Sequence, residues 1–159
     1  MRKTFRTVAL SIFVNVLFAV GAHAAGAHSH IANNMALAKQ NYVLDCMGCH
    51  SAKGVVDPGR IPPLANNAAW YLGVRGGREF LARVPGSSSS NLTDAQLAGV
   101  LNYILIKMNG SLLSKSFQPY TAAEVKKYRR PEYANPAVHR NVLIDELRAQ
   151  GNPHVKRYY

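Results

Sequence analysis

Two cysteines and one histidine lie within five consecutive residues, Cys46-Met47-Gly48-Cys49-His50. Two thiols three positions apart, followed directly by an imidazole, form the C-x-x-C-H pattern that attaches c-type haem. The thiols can reach the two vinyl groups on one edge of a porphyrin, and the adjacent imidazole can then bind the iron as its proximal ligand. The pentapeptide therefore predicts one covalent haem c with its iron, attached through Cys46 and Cys49 and ligated by His50.

Three other uses of this pentapeptide stay open. A thioredoxin-like redox pair needs a βαβ context, but no stretch of the sequence shows sustained β alternation. A zinc site needs two further ligands, whereas the chain has only two cysteines, and His139 and His154 lie fifteen positions apart. A structural disulfide between Cys46 and Cys49 would close a very short loop. Haem attachment accounts for all three side chains and is the favoured interpretation.

The elements around the pentapeptide are predicted to be helical. Thr93 and Gln96 form a capping box that begins a helix, and Thr121 and Glu124 repeat this device further along the chain. The predicted helices cover residues 31–46, 93–107, a short stretch from 121 that Pro131 ends, and 135–151, with short helical turns around 66–73 and 78–84. The predicted fold class is therefore all-α.

The first residues have the composition of an export signal. Three basic residues precede an apolar run over residues 8–20, and the motif Ala22-His23-Ala24 has the small-x-small pattern that signal peptidase recognises. We predict a signal peptide over residues 1–24, cleaved after Ala24, and a periplasmic location. The apolar run is shorter than the roughly 17 to 25 residues that span a bilayer, so no permanent membrane anchor is expected.

Length, composition and charge limit the fold and the partners. With 159 residues and 48% hydrophobic content, the chain can form one compact domain but not two ordinary ones. A formal net charge of +11 favours anionic partners, and export disfavours nucleic acid. We therefore expect redox protein partners with an acidic docking face. A basic run could bind such a face or simply be solvated, and it comprises Lys126, Lys127, Arg129 and Arg130.

Residues 31–107 resemble the class I cytochrome c family. In that family an aromatic residue of the first helix packs against one of the last helix, and Tyr42 and Tyr103 match this pair. Small Ala38 and Gly99 would let the two helices cross closely. The resemblance implies a cytochrome c-like single domain around one covalent haem, with Tyr103 among the residues of the haem pocket.

Offsets from His50 match further parts of the haem pocket in that family. Pro62 matches the proline whose carbonyl accepts a hydrogen bond from the proximal histidine, and Leu64 matches a leucine that lines the pocket. Trp70 is expected to donate to a haem propionate or to close the pocket. Three arginines could pair with propionates or form a solvated basic face, namely Arg75, Arg78 and Arg83.

The distal side departs from the family pattern. The usual sixth ligand is a methionine in the loop before the last helix, but this stretch reads Arg83-Val84-Pro85-Gly86, and valine cannot ligate iron. Met108 is the nearest methionine and is the candidate distal ligand, although it lies at the far end of that helix. The other candidates are His139, His154, Met35, His28 and His30. A five-coordinate or water-ligated iron is the remaining alternative.

A single haem in a small exported domain is suited to carrying one electron at a time. The sequence predicts a periplasmic carrier, not an enzyme, that serves a dehydrogenase or an oxidase. It comprises a cytochrome c domain over residues 25–108 and a helical C-terminal extension over residues 109–159. If the sixth position is open, the haem could instead bind a small ligand or act as a weak peroxidase. A third alternative is a dedicated haem subunit of a larger redox complex, docked through the extension.

Overall fold

Helices make up most of the chain that the structure describes, a computed structural model covering residues 34–55, 61–152 and 154–155. The α-helices are α1 (34–45), α2 (Met47–His50), α3 (Gly77–Arg83), α4 (Pro85–Ser88), α5 (Asp94–Met108), α6 (Ala122–Tyr128) and α7 (Pro136–Ala149), with 3-10 helices at Ala68–Gly73 and Gly110–Leu112. These ranges contain no strand, so the all-α prediction is confirmed. The predicted signal peptide, its cleavage site, His28 and His30 lie outside the described residues.

Helix α5 begins where the sequence predicts, because side chains satisfy its first amides. The Thr93 hydroxyl accepts from the Gln96 amide at 3.3 Å, and the Thr93 amide donates to the Gln96 side chain at 2.9 Å. The predicted capping box is therefore confirmed. One apolar face of α5 is buried in the core, and it comprises Leu97, Val100, Leu101, Ile104 and Leu105.

Helices α1 and α5 cross closely near the pentapeptide. A Cβ atom added to Gly99 would meet the Cβ of Ala38 at 3.5 Å, so the two helices approach through small residues. Beside this crossing the rings of Tyr42 and Tyr103 lie 5.6 Å apart between centroids, at an interplanar angle of 43°. This is the helix contact that the resemblance implies, and it anchors the end of α1 that leads into Cys46.

The C-terminal extension packs onto the preceding helices. Helix α6 contacts α5 and α3, and α7 contacts the 3-10 helix Ala68–Gly73. Buried Asn102 of α5 accepts from the Tyr120 amide at 2.7 Å and donates to the Tyr120 carbonyl at 3.0 Å. The extension and helices α1–α5 therefore belong to one compact unit.

Arg129 is the main polar link between the extension and the loop before α5. It is only 7% exposed, and its guanidinium donates to the carbonyls of Ser88 and Leu92 at 3.2 and 2.6 Å. It also contacts Asp94 at 3.3 Å. Placing Arg129 in a solvent-facing basic run is therefore wrong, because its side chain satisfies buried carbonyls instead. The other members of that run are exposed: Lys126, Lys127 and Arg130.

Candidate haem site

The pentapeptide forms one helical turn at the end of α1. The Cys46 amide donates to the Tyr42 carbonyl at 2.9 Å, which continues the helical path into the motif. The amides of Cys49 and His50 both donate to the Cys46 carbonyl, at 3.1 and 3.0 Å. Both thiols are free, with Cys46 half-buried and Cys49 exposed. The three predicted side chains therefore lie on one turn at the edge of the core.

The environment of Cys46 suits an uncharged sulfur. Burial raises the pKa of the Cys46 thiol to about 11, and the neighbouring Asp45 and Cys49 act in the same direction. A metal-binding or redox-active cysteine works as a thiolate, and this site disfavours the thiolate. A thioether carries no charge and is compatible with the same half-buried position. Among the described residues, moreover, no group of three His, Cys, Asp or Glu side chains is placed to hold a metal ion.

The imidazole of His50 is half-buried, and its Nδ1 atom is buried without a hydrogen-bond partner in the described structure. Burial lowers the pKa of His50, and the nearby carbonyl of Pro62 acts in the opposite direction without completing a hydrogen bond. The lowered pKa favours the neutral imidazole, which is the form that binds metals. A ligating imidazole binds the metal through one ring nitrogen and donates from the other, and the unpaired Nδ1 with the Pro62 carbonyl nearby leaves Nε2 for iron. The donor set therefore fits a haem iron.

A loop contact brings Pro62 and Leu64 towards His50. The amides of Leu64 and Ala65 donate to the Gly54 carbonyl at 2.8 and 3.1 Å, which joins the loop after His50 to the loop after Pro62. Gly54 has φ of +69°, and a Cβ there would lie 2.8 Å from the Met108 sulfur. Only glycine combines this left-handed backbone with such a close approach. The segment that contains Pro62 and Leu64 is thus joined to the loop that follows His50.

No family model matches the chain. Two proteins of Thermus thermophilus, both named cytochrome c-552, are 38% identical to it over 102 residues. The match covers 53% of this chain and 78% of one relative and 69% of the other. The chain belongs to the cytochrome c family. It is a monohaem cytochrome of electron transfer, with covalent haem c and its iron as cofactor.

Within the aligned region, this cytochrome lacks some of the residues that its relatives have. Because 53% of a 159-residue chain is fewer than 102 residues, the alignment contains positions that this chain does not have. Within the described ranges, none of the helices combines the length and apolar character that a bilayer span requires.

The predicted distal candidates of this cytochrome have partners within the protein. The Met108 sulfur packs against Gly54, on the loop that follows His50. The His139 ring stacks on Tyr133, with centroids 3.9 Å apart, and the His154 ring stacks on a tryptophan in the same way. Met35 is half-buried in α1. Packing contacts therefore already account for the positions of Met108, His139 and His154.

Trp70 contacts the C-terminal extension. Its ring stacks on His154 at 5.4 Å between centroids and 24° between planes. Trp70 also lines a cavity of about 700 Å³ between the 3-10 helix Ala68–Gly73 and the extension. The walls of this cavity include neither the pentapeptide nor Pro62 or Leu64. The role of Trp70 at the haem stays a prediction.

Two of the three arginines predicted near the haem edge bind the extension instead. Arg78 donates to both carboxylate oxygens of Glu124, at 2.6 and 2.7 Å, and this hydrogen bonding raises the pKa of Arg78. Arg83 bonds the Glu79 carboxylate and the Pro131 carbonyl. Their donors thus join the extension to α3, whereas Arg75 is exposed.

Asn109, at the end of α5, is a residue near the site that sequence reasoning missed. It is completely buried and bonds the segment that follows Pro62. The available signal was the pair Asn109-Gly110 directly after the last residue of the helical pattern, which is typical of a helix end. That signal concerns the backbone alone and gives no partner for the side chain.

Proposed function

We propose that this cytochrome is a periplasmic electron carrier whose haem c is attached to Cys46 and Cys49 and ligated by His50. The observation that carries this proposal is the single turn of α2, which brings together two free thiols and a half-buried imidazole whose Nδ1 is unpaired. When bound, the haem iron accepts and releases one electron. The residues of the chain hold the group, orient the imidazole and limit the access of water.

Tyr42 supports the turn that carries these side chains. Burial raises the pKa of Tyr42 to about 12, so its hydroxyl stays protonated and donates to the Ser51 carbonyl at 2.6 Å. Ser51 directly follows His50, and its own hydroxyl donates to the Val55 carbonyl at 2.6 Å. These bonds hold the chain after the imidazole in place, which fits a ligand that must keep its orientation in both oxidation states.

The periplasmic location rests on the composition of residues 1–24. Their positive start, apolar run and small-x-small motif together support export and cleavage after Ala24. In such an oxidising compartment free thiols tend to form disulfides, and attachment of haem to Cys46 and Cys49 would prevent that oxidation.

The surface beside the pentapeptide supports docking to an acidic redox partner. Leu44 and Val55 flank the motif in sequence and are 72% and 58% exposed. Lys53 and Lys107 are exposed as well, and Lys107 adjoins the methionine that packs against Gly54. Positive charge around an apolar contact area steers an acidic partner and still permits a short-lived complex.

Electron exchange with small charged reagents tests this surface. Oxidation of the reduced holoprotein by an anionic iron cyanide complex should slow by about tenfold from low salt to high salt, because ions screen the attraction. Oxidation by a cationic cobalt complex should become faster over the same increase in salt, because ions screen the repulsion. Stopped-flow kinetics measure these rates. The Lys53→Glu variant should show a smaller salt dependence with the anionic complex, whereas Lys115→Glu, in the extension, serves as the matched control. Rates that do not depend on salt for either reagent would reject the proposed surface.

A second candidate function is the binding of a small ligand at the sixth position of the iron. The observation that favours it is that Met108, His139 and His154 each pack against another part of the protein, while Val84 lies between α3 and α4, where the family pattern has its methionine. A haem with an open distal position binds CO, NO or peroxide.

Carbon monoxide distinguishes the open position from a filled one. We expect CO to shift the absorption spectrum of the reduced holoprotein, since Met108, His139 and His154 are each packed against other residues. Met108→Leu should leave both the reduced spectrum and CO binding unchanged and should cost less than about 1.5 kcal/mol of stability. His139→Gln and His154→Gln serve as parallel variants. A reduced spectrum that CO does not change would exclude the open position, and an altered spectrum in one variant would identify that residue as the ligand.

A further inference from the structure

Asn109 uses its whole side chain for hydrogen bonds inside the protein. It is 0% exposed, and its oxygen accepts from the amides of Asn67 and Ala69 at 2.9 and 3.3 Å. Its nitrogen donates to the carbonyls of Leu64 and Ile104, both at 3.0 Å. An amide side chain has two donor hydrogens and one oxygen acceptor with two lone pairs, and all four positions are used here. Asn109 therefore connects the end of α5 to the segment 64–69.

The segment that Asn109 holds is continuous with the loop around His50. The Asn66 amide donates to the Met108 carbonyl at 3.0 Å, which adds a backbone bond beside the Asn109 side chain. The amide of Leu64, whose carbonyl binds Asn109, donates in turn to the carbonyl of Gly54 at 2.8 Å. The backbone amide and carbonyl of Leu64 are thus both hydrogen-bonded, and Leu64 follows Pro62 by two positions.

We propose that Asn109 is a positioning residue for the proximal ligand: by fixing Leu64 it keeps the Pro62 carbonyl within reach of the His50 imidazole, where it can accept from the ring nitrogen that does not bind iron. This inference rests on the proposed ligation of the haem iron by His50. A carbonyl that accepts from the second ring nitrogen of a ligating histidine orients the ring and makes it a stronger donor to the metal. A stronger donor stabilises the ferric form, so loosening Pro62 should raise the reduction potential.

Asn102 offers a matched control on the same helix. It too is buried, at 9% exposure, and it bonds both the amide and the carbonyl of one residue, Tyr120. That residue belongs to the extension, not to the loops around His50. Replacing Asn102 therefore removes a comparable set of buried hydrogen bonds without releasing the segment 64–69.

The experiment compares the reduction potentials of the holoprotein forms of Asn109→Ala and Asn102→Ala with that of the unmodified protein. In Asn109→Ala we expect the preference for the ferric form to fall by about threefold to tenfold, where tenfold corresponds to about 59 mV for one electron. In Asn102→Ala the potential should stay unchanged although the protein loses stability. Equal shifts in the two variants, or no shift in Asn109→Ala, would overturn the proposal.

Asn109→Ser provides a second variant that keeps a small polar side chain, for the case in which the alanine variant does not fold. Hydrogen exchange of the Leu64 and Ala65 amides is then compared with Asn102→Ala, and we expect faster exchange only when Asn109 is changed. Failure of the two proposals is distinguishable. If the unmodified protein carries no haem ligated by His50, the proposed function fails, whereas a normal haem spectrum with an unmoved potential rejects the positioning role alone.

Discussion

Replacing both Cys46 and Cys49 by alanine should leave no haem bound to the denatured protein. The two thiols are the chain's only cysteines, and they lie on the same turn as His50. Without a sulfur to form a thioether, any remaining haem is held by noncovalent contacts and by the imidazole, and denaturation releases it. Mass spectrometry of the mature chain and haem staining of a denaturing gel measure the loss.

Two further variants separate attachment from ligation. Met47→Ala changes the residue directly after Cys46 and should keep covalent haem, which controls for a general disturbance of α2. His50→Ala removes the proposed iron ligand while leaving both thiols, so haem attached in this variant should have an altered spectrum. Retention of covalent haem by the double cysteine variant would show that the attachment site is wrong.

Replacing Arg129 by alanine should lower the free energy of unfolding by about 3 to 5 kcal/mol. The guanidinium lies buried between the extension and the loop before α5, where it donates to the carbonyls of Ser88, Ser90 and Leu92. Alanine would leave these carbonyls without a donor in a site that water does not easily reach, and each loss costs about 1 to 3 kcal/mol. Half-buried Asp94 contributes little, since solvent partly screens that ion pair.

Denaturant unfolding of the holoprotein measures this loss, with Arg130→Ala as the matched control. Arg130 is the next residue in the chain and is exposed, so its replacement should change the stability by no more than about 0.5 kcal/mol. If both variants unfold at the same denaturant concentration, Arg129 does not join the extension to the loop as the hydrogen bonds indicate. A loss confined to Arg129→Ala would confirm that burial, and not charge, distinguishes the two neighbours.

Short-range signals predicted much of this cytochrome correctly. The pentapeptide marked the turn that now carries two free thiols and an imidazole, and the capping box at Thr93 and Gln96 marked the start of α5. Each signal involves residues within one or two helical turns, so its geometry follows from the backbone alone. The Tyr42–Tyr103 contact spans the chain but was available through the resemblance, because family members share that spacing.

Residues whose partners lie far along the chain were placed wrongly or missed. The stacking of Trp70 on His154 was not predicted, because this contact requires the extension to fold back over the 3-10 helix. Arg129 has the same sequence character as its exposed neighbours, and only the position of the 88–92 loop makes it a buried donor. A one-dimensional pattern gives the chemical type of such residues and not the groups that face them.

The sequence by itself determined the cofactor chemistry, the helical class and the helix starts, because thiol spacing, imidazole adjacency and capping are local properties of the chain. Only the tertiary structure decided which polar side chains are buried, which arginines are exposed to solvent, and which loop near His50 is bonded by Asn109. The physical reason is that a buried donor or acceptor must find a partner wherever the packed fold leaves one unpaired. Such partners are assigned by the approach of distant segments, which no local pattern specifies.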